Sequence, residues 1–130
     1  MSFYTNQTFD GISNYKKYLQ LAGSLSQLFS ESKIPLLYYR AAEKLFCKSF
    51  SAEDISRSDI AVDAKKINLG VGIKTFRIGN SKTFQKVAEF NSAKPLYENK
   101  PLNEKITEIS RLRNERISFT ENALQINKSI

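Results

Sequence analysis

The stretch Ser58–Phe76, reading SDIAVDAKKINLGVGIKTF, constrains the fold more than any other part of the chain. Ile60 and Val62 alternate with Asp59, Ala61 and Asp63, and farther on Val71, Ile73 and Thr75 alternate with Gly70, Gly72 and Lys74. A period of two marks strands with one face on a core. Lys65–Asn68 carries polar residues suited to a turn, so Ser58–Lys65 is expected to pair antiparallel with Leu69–Arg77. Depending on register, this pairing puts Asp59 or Asp63 on the face of Lys74. An acid and a lysine on the polar side of a half-buried sheet are costly to hold there without partners. They are the first candidates for function.

The flanking segments read as helices. Tyr15, Tyr18, Leu19, Ala22, Leu25 and Phe29 recur at three- and four-residue steps, which predicts a helix from Asn14 with Ser13 or Asn14 as its cap. Pro35 suits the first turn of a second helix, ending near Ser49. On that helix Leu36, Tyr39, Glu43, Phe46 and Phe50 share a stripe, so a carboxylate interrupts an apolar face. Arg40, three residues earlier, can neutralise Glu43 as an ordinary helix pair. The other reading aims Glu43 at the polar side of the hairpin.

Beyond the hairpin, Gly79 and Asn80 signal a turn and Thr83–Asn91 reads as a short helix, with Gln85 and Glu89 four residues apart. Ser92–Lys100 is a linker containing Pro95, closed by Pro101. A last helix is expected near Asn103, with Ile106, Ile109 and Leu112 on its apolar side and Arg111, Arg113 and Arg116 on its later turns. Ile117–Ile126 reads as a weak strand or hairpin. The polar ending Gln125–Ile130 shows no closing element, and the chain is expected to be the N-terminal portion of a longer protein. Residues 1–130 form one domain by size. The expected class is α/β or α+β, a mixed sheet flanked by helices.

Composition narrows the chemistry. Lys and Arg number 20 against 13 Asp and Glu, a net charge of +7 that favours nucleic acid over other partners. The chain has no histidine and one cysteine, Cys47, which excludes His-based hydrolysis, zinc–histidine sites and a disulfide framework. A metal here must be held by oxygen, which points to Mg²⁺, Mn²⁺ or Ca²⁺. No apolar run reaches membrane-spanning length and the first ten residues are too polar for a signal peptide, so an intracellular protein is expected.

Asp59 on one strand, Gly72-Ile73-Lys74 on the next, and the helical phrase QKVAEF with Glu89 together resemble the PD-(D/E)XK nuclease superfamily, especially its type II restriction endonucleases. The resemblance spans roughly Pro35–Asn91. It implies a restriction-endonuclease-like mixed sheet and a Mg²⁺-dependent enzyme, with Mn²⁺ as substitute, that hydrolyses double-stranded DNA at a specific site. It also implies a homodimer in the cytoplasm of a bacterial or archaeal cell, with no membrane partner and no small-molecule cofactor. On this reading Asp59, Lys74 and Glu89 are catalytic, with Asp59 and Glu89 as metal ligands and Gln85 in support. The family's middle acid falls at Gly72, so a displaced carboxylate is required. Glu89, Asp63 and Glu43 are the candidates. If none of them serves, the alternative is a catalytically incomplete nucleic-acid-binding or structural domain on the same fold. Arg111, Arg113 and Arg116 are the candidate DNA contacts, since guanidinium suits both phosphate clamping and guanine reading.

Overall fold

Thr8 starts the first helix. Its backbone is extended and its hydroxyl accepts the Gly11 N–H at 3.1 Å, satisfying one of the free donors of helix α1, Phe9–Leu28. These features come from a computed structural model that describes residues 3–31, 33–56, 60–76, 90 and 92–129. The cap at Thr8 lies five or six residues before the expected one at Ser13 or Asn14. Its first turns dock on the core through Ile12 and Tyr15 and through Gly11, where a Cβ would lie 3.0 Å from the Ser49 carbonyl oxygen.

Helix α2 spans Tyr39–Phe50, with the extended Tyr38 at its N-cap. Pro35 therefore lies before the helix, contrary to the expectation that it sits in the first turn. The connection lies along α1 instead: the Leu36 N–H donates to Ser26 Oγ at 2.9 Å, and Pro35 packs beside Gly23. Phe46 and Phe50 of α2 meet Phe3 and Tyr15 with ring centroids 5.0–6.1 Å apart. This aromatic knot adjoins the core of Cys47, Ala64 and Val71.

The sheet has four short strands in the order β1 (Glu53–Asp54), β2 (Ala64–Lys66), β3 (Leu69–Val71), β4 (Lys128–Ser129). The first three are antiparallel and β4 joins β3 in parallel. The hairpin is real but shorter than expected. Its ladder runs from Lys66 opposite Leu69 to Ala64 opposite Val71, with Ile67 and Asn68 as the connection. Lys65 and Lys66 belong to the strand rather than the turn. Beyond the ladder, the Ile73 N–H donates to Asp63 Oδ2 at 2.7 Å. A side chain thus takes the place of the next backbone partner, and the regular ladder stops there. Val71 is buried and Lys74 exposed as the alternation predicts, but the buried Val62 packs on the Gly70 side, where a Cβ would lie 3.1 Å from it, rather than on the side of Val71.

Helix α3 spans Leu102–Leu124. The expected weak strand over Ile117–Ile126 is corrected: those residues are helical to Leu124. Thr120 explains much of the difference. It is fully buried, its hydroxyl donates to the Arg116 carbonyl at 2.8 Å, and it accepts the Ala61 N–H at 2.9 Å. Lys65 Nζ then donates to the Leu124 carbonyl at 2.8 Å, a cation on the negative end of the helix. After the turn at Gln125, the buried Ile126 lies over Gly70, where any Cβ would come within 2.6 Å of it. Asn127 N–H reaches the Asn68 carbonyl at 2.8 Å and leads into β4. The architecture is α+β. Among the described residues no helix is long and apolar enough to cross a membrane. The expected helix at 83–91 lies, but for Phe90, outside the described residues.

Candidate active site on the hairpin

The stopped ladder exposes Lys74 together with Asp63, one of the two acids that the sequence offers for its face. Lys74 follows Ile73, whose N–H is fixed on Asp63, and so its ammonium lies 3.8 Å from Asp63 Oδ2. Both side chains reach solvent, Lys74 more than Asp63. Asp63 Oδ1 makes no hydrogen bond among the described residues. The hairpin thus presents a carboxylate oxygen and an ammonium group side by side at its mouth.

Further acids stand behind this pair. Cys47, buried on α2, has its thiol pushed up to about 11, first by desolvation and then by the negative charges of Asp54, Glu43 and Asp63 around it, with Lys44 opposing. Such a thiol is a packing group, not a nucleophile. Among the described residues no three acidic, histidine or cysteine side chains are arranged to hold a metal ion.

Glu43 is only 5% exposed. A buried carboxylate needs a cation and hydrogen bonds, and Arg40 supplies both with its Nη1 at 3.1 Å from Oε2. The same nitrogen donates to Ser56 O and Ser56 Oγ, at 3.0 and 2.8 Å. Asp54 Oδ1 accepts the Ser56 N–H and hydroxyl, and its pKa is lowered chiefly by that hydroxyl. Lys44 stands 3.5 Å from its other oxygen. The set ties α2 to the segment after β1. Reading Glu43 as an ordinary pair with Arg40 therefore describes its contacts. Asp54 and Ser56 escaped the sequence reading, although an acid two residues before a serine is a recognisable local turn signal.

Asp59, Gln85 and Glu89 lie outside the described residues, so the structure brings together only Lys74 and Asp63 of the sequence-predicted site. The three arginines are exposed on α3. Arg111 is gripped between Glu108 and Glu115, which raises its pKa, while the Arg111 hydrogen bond holds Glu108 below its usual range. Comparison with protein-family models, curated proteins and solved structures finds no match.

Proposed function

We propose that the chain carries the active-site hairpin of a Mg²⁺-dependent, type II restriction-like endonuclease, cutting double-stranded DNA as a homodimer in the cytoplasm of a bacterial or archaeal cell. The observation that supports this reading is the Asp63–Lys74 pair at the open end of the hairpin, a carboxylate and an ammonium 3.8 Å apart and both in reach of solvent. The donors fit a hard cation: the acids offer oxygen only, and the chain has no histidine to compete for softer metals.

Asp59 and Glu89 would hold the ion, with Asp63 or Glu43 as the substitute if Glu89 does not. Bound there, Mg²⁺ or Mn²⁺ would supply positive charge against the phosphate oxygens and activate water for attack. Lys74 orients that water and offsets the charge that builds on the phosphate, where a fixed cation is worth more than in bulk solvent. Asp63 holds the Lys74 segment in place through the Ile73 N–H. Gln85 orients Glu89. Arg111, Arg113 and Arg116 grip the duplex backbone.

A second reading, a nucleic-acid-binding domain with an incomplete acid set, is favoured by two contacts. Asp63 Oδ2 already serves the backbone of Ile73, and Glu43 is closed off by Arg40. Cleavage of supercoiled plasmid, followed with Mg²⁺ or Mn²⁺ and with the metal chelated, separates the two. Metal-dependent cutting is expected. Asp59→Asn and Glu89→Gln should lower its rate at least about 100-fold with DNA binding retained. Asp63→Asn, which keeps an acceptor for Ile73 N–H, and Glu43→Gln identify the displaced acid. Binding without cutting would leave the incomplete domain, and absence of both would refute either reading.

A further inference from the structure

The start of α2 spends two large aromatic residues on solvent. Tyr38 occupies the N-cap, where a short oxygen-bearing side chain commonly holds a free helix N–H, yet it makes no capping hydrogen bond. Its ring lies against that of Tyr39 instead, with centroids 4.6 Å apart, and the two residues are 58% and 49% exposed. The pair shares a side-chain hydrogen bond, the first cause of a lowered Tyr39 pKa, with Arg40 acting in the same sense. The Arg40 guanidinium stands 5.4 Å from the Tyr39 ring centroid, a cation–π contact. Glu43 and two oxygens of Ser56 hold its Nη1 in place. From Arg40 the cations continue along α2, with Lys44 and Lys48 at four-residue steps on one side of the helix. Both lysines are exposed, and Lys48 Nζ lies 5.3 Å from the ring centroid of Tyr18 on α1. The one carboxylate of α2, Glu43, is buried and sets no negative charge on this side. Asp54 pairs with Lys44 but is the less exposed of the two.

We propose that the tyrosine pair and the Arg40–Lys44–Lys48 stripe bind the unpaired nucleotides of a single-stranded nucleic acid. The chemistry of the surface selects this occupant. An exposed ring gains most from another flat ring laid on it, and every base of an unpaired strand offers such a face, whatever its sequence. A duplex keeps its base faces inside the stack and offers these rings nothing to stack on. The phosphates that follow each base need cations along the path, and α2 supplies them over about 12 Å from Arg40 to Lys48. That is roughly the rise of three or four stacked nucleotides. The net charge of +7 draws a polyanion to the chain as a whole. This surface shares no residue with the Asp63–Lys74 pair or with the arginines of α3, and the inference does not require DNA cleavage.

The test is the affinity of the full chain for a short fluorescent single-stranded DNA of mixed sequence, followed by anisotropy. An abasic strand of the same length keeps every phosphate and loses every base, and it should bind at least about tenfold more weakly. This comparison needs no change to the protein. Tyr38→Ala should lose about tenfold on the intact strand and nothing on the abasic one, whereas Tyr38→Phe keeps the ring and the affinity. Lys48→Ala should flatten the dependence of log affinity on log salt by about 0.7. Binding of a duplex of the same sequence should be indifferent to Tyr38→Ala. Circular dichroism of each variant checks that the helices are kept. The proposal is overturned if the single strand does not bind, or if intact and abasic strands bind alike. An equal loss on the duplex in Tyr38→Ala, or association with phosphatidylserine vesicles in place of the strand, would also overturn it.

Discussion

Ile67 carries a conformation that its side chain resists. Its φ is 54°, in the left-handed region where a β-branched residue crowds its own backbone, and it is 80% exposed, so no packing offsets the strain. Asn68, the other residue of the connection, is not at positive φ. A glycine first and an ordinary residue second is the pattern of a two-residue hairpin turn. Ile67→Gly should therefore stabilise the protein by roughly 0.5–1 kcal/mol, the left-handed penalty less the added freedom of the unfolded chain. Thermal unfolding would show it as a rise of a few degrees, and a fall would contradict the strain described. The lysine of the candidate site was legible at this scale, since Lys74 sits on the polar phase of an alternating run. The use of Asp63 was not. It depends on where the ladder stops, and that is decided by the Ile73 N–H choosing a carboxylate over a backbone carbonyl.

At the scale of elements, legibility followed the strength of the period. The hairpin and the body of each described helix are marked by their apolar spacing. Their ends are set by single contacts that spacing does not encode: the Thr8 hydroxyl for α1, the Ser26–Leu36 bond for the approach to α2, and the Thr120–Ala61 bond for the last turns of α3. Ile117, Phe119 and Thr120 are residues that favour strands, and tertiary hydrogen bonding overrides that preference. The same helix carries the proposed DNA contacts. Replacing Arg111, Arg113 and Arg116 together by alanine should weaken DNA binding and flatten its dependence on salt, by up to about three units of the log–log slope. Equal affinity and slope in the variant, with α3 intact, would reduce these arginines to a helix surface satisfied by its own glutamates.

For the whole molecule, the hairpin joins the two halves of the described structure. Its outer strand β2 pairs with β1 after the α1–α2 pair, its inner strand β3 pairs with β4 after α3, and Ala64 and Val71 pack with Phe46, Cys47 and Phe50 of α2. At the end of the hairpin the side chains of Asp63 and Lys74 both reach solvent. The most direct test is Lys74→Ala, with Mg²⁺-dependent cleavage and DNA affinity measured on the same preparation at fixed salt. The side chain is exposed and, among the described residues, pairs with the partly buried Asp63, so its removal should leave the fold intact. The account predicts a cleavage rate lower by about 100-fold or more with DNA affinity changed by no more than about tenfold, the share of one lost phosphate contact. Cleavage at the parent rate would contradict it.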